Sequence, residues 1–351
     1  MKRLIALILA GMLQITLATG CKQPDSSQSE IMQPQNTQSS TLRTDKPSIV
    51  CTIFPLYDWV RQILGSKADS FDLTLLLDNR IDLHNFQPSV DDIVRVSDSD
   101  LFIYVGGESD GWVESVLRQA INPDMVVINL LGILGDDVMQ EEITEGMEFN
   151  NDDEVDDHYD DGSDHDDDNN NECDFDEHVW LSLRHAQKFC TVIADALSAL
   201  DTENAALFYS NLSAYIDELM NLDSEYQSVV NEARVRTLLF GDRFPFRYFA
   251  DDYGISYYAA FPGCSAETEA SFQTIVFLSD KMDELDLKNI IVTESADQSI
   301  ARTIISNTRD KNQQIHVLNA MQSVTASDVR SGASYLSIME SNLKVIKVVL
   351  A

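Results

Sequence analysis

Residues 49–54 read Ile-Val-Cys-Thr-Ile-Phe, a short apolar run rich in β-branched side chains that gives way to a helical pattern. Comparable runs follow at Phe71–Leu77, Leu101–Val105 and Met125–Leu130, with helical stretches between them. Such alternation is the signature of a repeating βα unit and a largely parallel sheet. The same pattern restarts in the second half, at Thr237–Gly241, Ile255–Ala259, Asn289–Thr293 and Gln314–Leu318. The expectation is an α/β protein of two Rossmann-like lobes with mostly parallel sheets. A chain of 351 residues, 44% of them hydrophobic, is long enough to give each lobe its own core.

Working outward, the lobes are expected at residues 47–183 and 235–351. Between them, residues 184–234 are nearly free of Gly and Pro and repeat apolar side chains at helical spacing, as in Val192, Ala196 and Leu200, then Leu212, Ile216 and Leu219. This stretch reads as one long connecting helix between the lobes, with Asp201 as the place where it could break. A continuous helical connector predicts limited hinge motion.

The N-terminus carries Lys2 and Arg3, an apolar run from Leu4 to Leu13, and then Ala18-Thr19-Gly20-Cys21. This reads as a lipoprotein signal peptide with Cys21 as the lipidated mature N-terminus, because the apolar run is shorter than the roughly 20 residues a bilayer-spanning helix needs. The chain is therefore expected outside the cytoplasm, anchored by lipid to a bacterial cell membrane. Residues 22–46 are mostly polar and read as a disordered tether.

The formal charge of -35 excludes nucleic acid as a partner, since phosphate recognition needs clustered Lys and Arg. Much of the acidity is local: Asp152–Glu177 holds fifteen Asp and Glu, so the rest is only moderately acidic. Residues 135–176 read as an acidic low-complexity insertion, with His158 and His165 inside it, that could collect cations or be a solvated charge run. After Cys21, the cysteines are Cys51, Cys173, Cys190 and Cys264, with no CxxC spacing. A cysteine-built zinc site is not expected, and the sequence leaves any disulfide pairing open.

Two histidine motifs carry chemistry. Asp82-Leu83-His84 precedes Pro88-Ser89-Val90-Asp91-Asp92, where Ser89 and Asp92 have the spacing of a capping box; His84 therefore lies in a loop before a helix. Asp176-Glu177-His178-Val179-Trp180 places a second histidine at another helix entry. Open α/β sheets present ligand groups at such loops. Neutral imidazole is a common transition-metal ligand whose ring a carboxylate can orient. Either histidine alone could equally be an exposed or capping residue.

His84, Pro88, Ser97-Asp98-Ser99-Asp100, Tyr104-Val105-Gly106-Gly107 and Trp112, taken together, resemble the zinc and manganese substrate-binding proteins of ABC importers, the cluster A-I or ZnuA-like family. Phe54-Pro55-Leu56-Tyr57-Asp58-Trp59 and Tyr335-Leu336-Ser337-Ile338-Met339 are similar to the same family, so the resemblance spans residues 48 to 351. It implies a metal site in the cleft between the lobes and delivery of the ion to an ABC transporter permease. It also implies that His84 and His178 are the first lobe's ligands.

The second lobe departs from the family pattern. Arg243 stands three residues before Phe246-Arg247-Tyr248, where the family has His or Glu, and a guanidinium stays protonated and cannot ligate. Asp242 is the candidate replacement, with an Asp242–Arg243 ion pair as the alternative. Glu294 matches the family's carboxylate ligand, with Asp297 as an alternative for that role and helix capping as the plain reading of either. Cys264 is a conceivable soft ligand, although a small buried thiol is the commoner role. Glu267 and Glu269 read as acids at a helix start.

Two imidazoles and one or two carboxylates suit Zn²⁺, and with further oxygens Mn²⁺. The expected cargo is zinc, with manganese or iron as the alternative. The histidine-bearing insertion sits where zinc members carry a histidine-rich loop. A surface adhesin is a rival within the same family. A zinc hydrolase is disfavoured, because the sequence has neither HExxH nor GxSxG; the chain is not expected to be an enzyme.

Overall fold

The computed structural model describes residues 46–78, 80–148, 175–265 and 269–351. Cys21, residues 22–45 of the tether, Cys173, His158, His165, Glu267 and most of the acidic insertion lie outside them. The first lobe runs β1 (Ser48–Cys51), α1 (Phe54–Leu64), β2 (Asp72–Leu75), α2 (Val90–Ser97), β3 (Leu101–Tyr104), α3 (Val113–Leu117), β4 (Val126–Asn129) and α4 (Leu130–Leu134). Its strands form a parallel sheet in the order β2-β1-β3-β4.

Two helices follow, α5 (Leu183–Leu200) and α6 (Ala205–Glu232). The second lobe runs β5 (Thr237–Phe244), α7 (Arg247–Tyr253), β6 (Ser256–Pro262), α8 (Phe272–Glu284), β7 (Asn289–Thr293), α9 (Ser299–Asn307), β8 (Gln314–Leu318), α10 (Ala326–Arg330) and α11 (Tyr335–Val349). Its sheet is again parallel, in the order β6-β5-β7-β8. The chain is thus an α/β protein of two doubly wound lobes.

The helical stretch between the sheets is two helices rather than one. At Asp201 the backbone leaves the helix, and the carboxylate accepts hydrogen bonds from the backbone N–H of Asn204 (3.2 Å) and from its side-chain amide (2.6 Å). Short polar side chains that bond the backbone locally compete with helical hydrogen bonds in this way. The two helices turn back on each other: Arg184 meets Asp223 and Gln227 at one end, while Tyr209 donates to Asp195 near the other. Both helices reach both lobes: α5 packs Phe189 on Trp59 at the first and sets Arg184 against Asp252 and His185 against Tyr248 at the second, while Asn211 of α6 donates to the Ile63 carbonyl at the first and Tyr226 packs on Phe249 and Tyr253 at the second.

A single apolar core runs from the first sheet through α1, α5, α6 and α11 into one face of the second sheet, where Phe240, Tyr248 and Phe249 belong to it. A smaller core lies on the other face, where Leu239, Phe261, Ile290 and Val292 are covered by Leu278 of α8 and Ile304 of α9. The last helix closes the molecule. Backbone N–H of Tyr335 donates to the buried Asp58 carboxylate (2.9 Å), and the Tyr335 hydroxyl donates to the Trp180 carbonyl (2.7 Å).

Candidate metal centre

His84 sits in a single 3-10 turn, Leu83–Asn85, that begins where the Asp82 side chain accepts from the His84 backbone N–H (3.1 Å). The following helix starts at the capping box of Ser89 and Asp92, as the spacing of those residues predicts. His178 precedes another such turn, Val179–Leu181, and is fully buried. Its backbone N–H donates to Asp176 Oδ1 (2.8 Å), and the same oxygen lies 3.1 Å from its Nδ1. An ionised carboxylate only accepts, so Nδ1 carries the proton and Nε2 presents a lone pair.

The opposite face of His84 is held in a similar way. Its Nδ1 lies 2.8 Å from Ser109 Oγ and 3.5 Å from Glu177 Oε2. Glu177 in turn accepts from the Ser109 backbone N–H (2.9 Å). This requires the glycine at position 107: its φ is +85°, and a Cβ there would meet the Glu177 carboxylate at 2.3 Å. The Gly106-Gly107 pair quoted above thus makes room for the carboxylate behind the imidazole.

With both Nδ1 atoms turned outward, the two Nε2 atoms face each other at 3.2 Å. Two nitrogens on one tetrahedral zinc, each about 2.0–2.1 Å from the ion, lie roughly 3.3 Å apart. That spacing matches two nitrogens sharing one cation, and also an N–H···N hydrogen bond between the rings. Burial and the neighbouring His178 push His84 down to about 3, so its ring is neutral at ordinary pH. Burial also pulls His178 down, but Asp176, Glu141 and Asp82 together more than offset it and leave it above the usual histidine value.

The second lobe brings Cys264 to the pair. Its sulfur and one nitrogen from each imidazole lie within 4.8 Å of one another, the group of metal-capable side chains present among the described residues. Gln322 completes this side, its side-chain nitrogen 3.0 Å from His178 Nε2.

A family model for zinc-uptake complex component A, a periplasmic protein, matches residues 49–349. The chain belongs to the ZnuA family. It is 29% identical over 302 residues to the zinc-binding lipoprotein AdcA of Streptococcus pneumoniae, covering 86% of this chain but 55% of that relative. The chain therefore spans about half the length of that protein. It is also 29% identical over 309 residues to the high-affinity zinc uptake system protein ZnuA of Bacillus subtilis, covering 88% of this chain and 89% of the relative. The crystal structure of the Zn(II)-bound ZnuA-like domain of Streptococcus pneumoniae AdcA superposes with a TM-score of 0.65 at 27% identity, over 87% of this chain and 99% of that one.

The structure sorts the second lobe's expected ligands differently from the family pattern. Strand β5 is irregular between Phe240 and Arg243, and neighbours Asp242 and Arg243 take different partners. Arg243 faces the first lobe, where its guanidinium donates to Asp82 Oδ2 (2.8 Å). Asp242 faces β7 and accepts from the backbone N–H (2.9 Å) and hydroxyl of Thr293. Asp242 is thus neither in the donor group nor paired with Arg243. With Asp82, Arg243 and Asp297 it lines a cavity of about 550 Å³ between the two lobes. Asp297 itself accepts from the Ser299 backbone N–H (2.8 Å) at the start of α9, a helix-entry role.

Glu294 is also outside the donor group. It accepts from the backbone N–H groups of Ala320 (2.8 Å) and Gln322 (3.0 Å), so it fixes the loop that presents Gln322 to His178. Glu141 and Gln322 gave no signal in the sequence that tied them to the histidines. Asp82 did stand in the quoted motif, but its partner Arg243 is 161 residues away.

Proposed function

We propose that this chain is the extracytoplasmic metal receptor of an ABC-type importer and that its cargo is zinc. His84 and His178 are its first-lobe ligands. The observation that carries this reading is the 3.2 Å approach of two Nε2 atoms, each ring held by a carboxylate or hydroxyl on its other nitrogen. Family membership and the names of the relatives support zinc over manganese and carriage over catalysis. Delivery to a permease partner and anchoring through a lipidated Cys21 belong to the same proposal, supported by the N-terminal signal and by a relative named as a lipoprotein. Glu294 acts in it from behind, by holding Gln322, and Asp242 has no ligand role.

The test is metal analysis of protein purified without chelator, alongside His84→Ala and His178→Ala. One zinc per chain, lost in both variants, is the expected result. Stoichiometric zinc retained by both would place the site elsewhere and end the proposal.

A further inference from the structure

We infer that Cys264 supplies a thiolate ligand from the second lobe, in place of the ligand lost at Arg243, and that the receptor therefore selects thiophilic divalent ions, zinc and cadmium, over manganese. This deepens the zinc-receptor reading and rests on it.

Cys264 follows β6 on a loop that is held against the histidines at several points. Backbone N–H of Gly263 donates to Glu141 Oε1 (2.5 Å), and that of Cys264 points to the same oxygen at 3.4 Å. Gly263 lies flat on the His178 ring: a Cβ there would sit 3.2 Å from Cε1 and Nδ1 and 2.9 Å from the Phe244 carbonyl. A side chain at 263 would push the loop off the imidazole. On its other flank, Arg243 donates to the Ser265 carbonyl (3.2 Å) while also holding Asp82. The residue that replaces the family's ligand therefore draws the cysteine loop toward the first lobe.

Cys51 and Cys190 are buried in the core, and none of Cys51, Cys190 or Cys264 is in a disulfide among the described residues. A tetrahedral zinc with sulfur at about 2.3 Å and nitrogen at about 2.0–2.1 Å sets S and N roughly 3.6 Å apart. The observed limit of 4.8 Å leaves a short closing movement of the loop. On binding, the S–H bond breaks, the sulfur keeps the electron pair and donates it to the metal, and the proton leaves to solvent. Thiolate favours zinc and cadmium, while manganese favours oxygen donors, so this exchange sets the selectivity.

The experiment loads metal-free protein with Co²⁺, Zn²⁺ and Mn²⁺. Wild type should show the near-ultraviolet sulfur-to-cobalt absorption of a thiolate ligand, and Cys264→Ser and Cys264→Ala should lose it. Zinc affinity should fall at least about tenfold in both variants while manganese affinity changes little. Absence of the band in wild type, or its survival in the variants, overturns the inference, as does peptide mapping that finds Cys264 joined to Cys173. Wild-type cobalt spectra answer the question even where a variant misfolds. If His84→Ala abolishes zinc binding and Cys264→Ser leaves it intact, only this inference fails; if neither variant affects binding, the receptor reading fails as well.

Discussion

The two halves of the site are built on different terms. In the first lobe, each imidazole is fixed on its outward nitrogen by groups from its own lobe, Asp176 behind His178 and Ser109 with Glu177 behind His84. In the second lobe, an arginine stands at the family's ligand position and the donor near the histidines comes from the next loop. The comparison teaches that the two imidazoles are oriented by their own lobe, while the second lobe's approach to them depends on contacts between distant loops.

The largest effect should come from breaking the organised half. His178→Ala removes a fully buried imidazole proposed as a ligand, and zinc affinity measured by competition with a chelating dye should fall by more than the roughly 10–100-fold typical of losing a group behind a ligand. Acidification should come next. His178 sits above the ordinary histidine value, so it takes up a proton as pH falls through that raised value and loses the lone pair the metal needs. His84, pushed down to about 3, stays neutral throughout. His178 should therefore contribute about a tenfold loss of zinc affinity per pH unit below its own raised value, as one proton competes with the ion. The Cys264 thiol, which releases its proton on binding, should make the slope steeper by one further proton.

Asp176→Asn should weaken zinc roughly 10–100-fold without abolishing it, because the ring loses its orienting acceptor. Retention of full affinity would show that Trp180 and the surrounding packing orient the ring unaided. Arg243→Met should cost about tenfold, roughly what a hydrogen bond to a charged group contributes, and should act mainly by faster zinc release. An unchanged release rate would mean that the Arg243–Asp82 contact does not help hold the lobes together. Asp242→Asn should leave zinc affinity within about twofold and cost about 1 kcal/mol of stability through Thr293, measured by chemical denaturation. A large loss of zinc would restore Asp242 as a ligand.

Much of the fold was legible, because both sheets are parallel and their strands stand out as short β-branched runs separated by helical periods. The helix-entry positions of His84 and His178 were legible for a related reason: each lies beside residues with local meaning, the Ser89 capping box and the Asp176 carboxylate two positions away. The break at Asp201 could be placed, but the antiparallel return of α5 on α6 depends on pairs such as Arg184 with Asp223, which periodicity does not reveal. The second-lobe donors were harder still. Whether Asp242 or Arg243 faces the cleft depends on a strand irregularity between Phe240 and Arg243, and a one-residue slip exchanges the two sides. Cys264 reaches the histidines only because Glu141, from far upstream, grips its loop.

The bond from Tyr335 to Asp58 joins residues 277 positions apart, and the hydroxyl of the same tyrosine reaches Trp180, two residues beyond His178. Contacts of such long range are slow to form, since the intervening chain must first be gathered in. A nascent chain that has crossed the membrane only in part would hold both histidines yet lack the clasp that braces the His178 turn. The turn that carries His178 is thereby tied to the docking of the final helix.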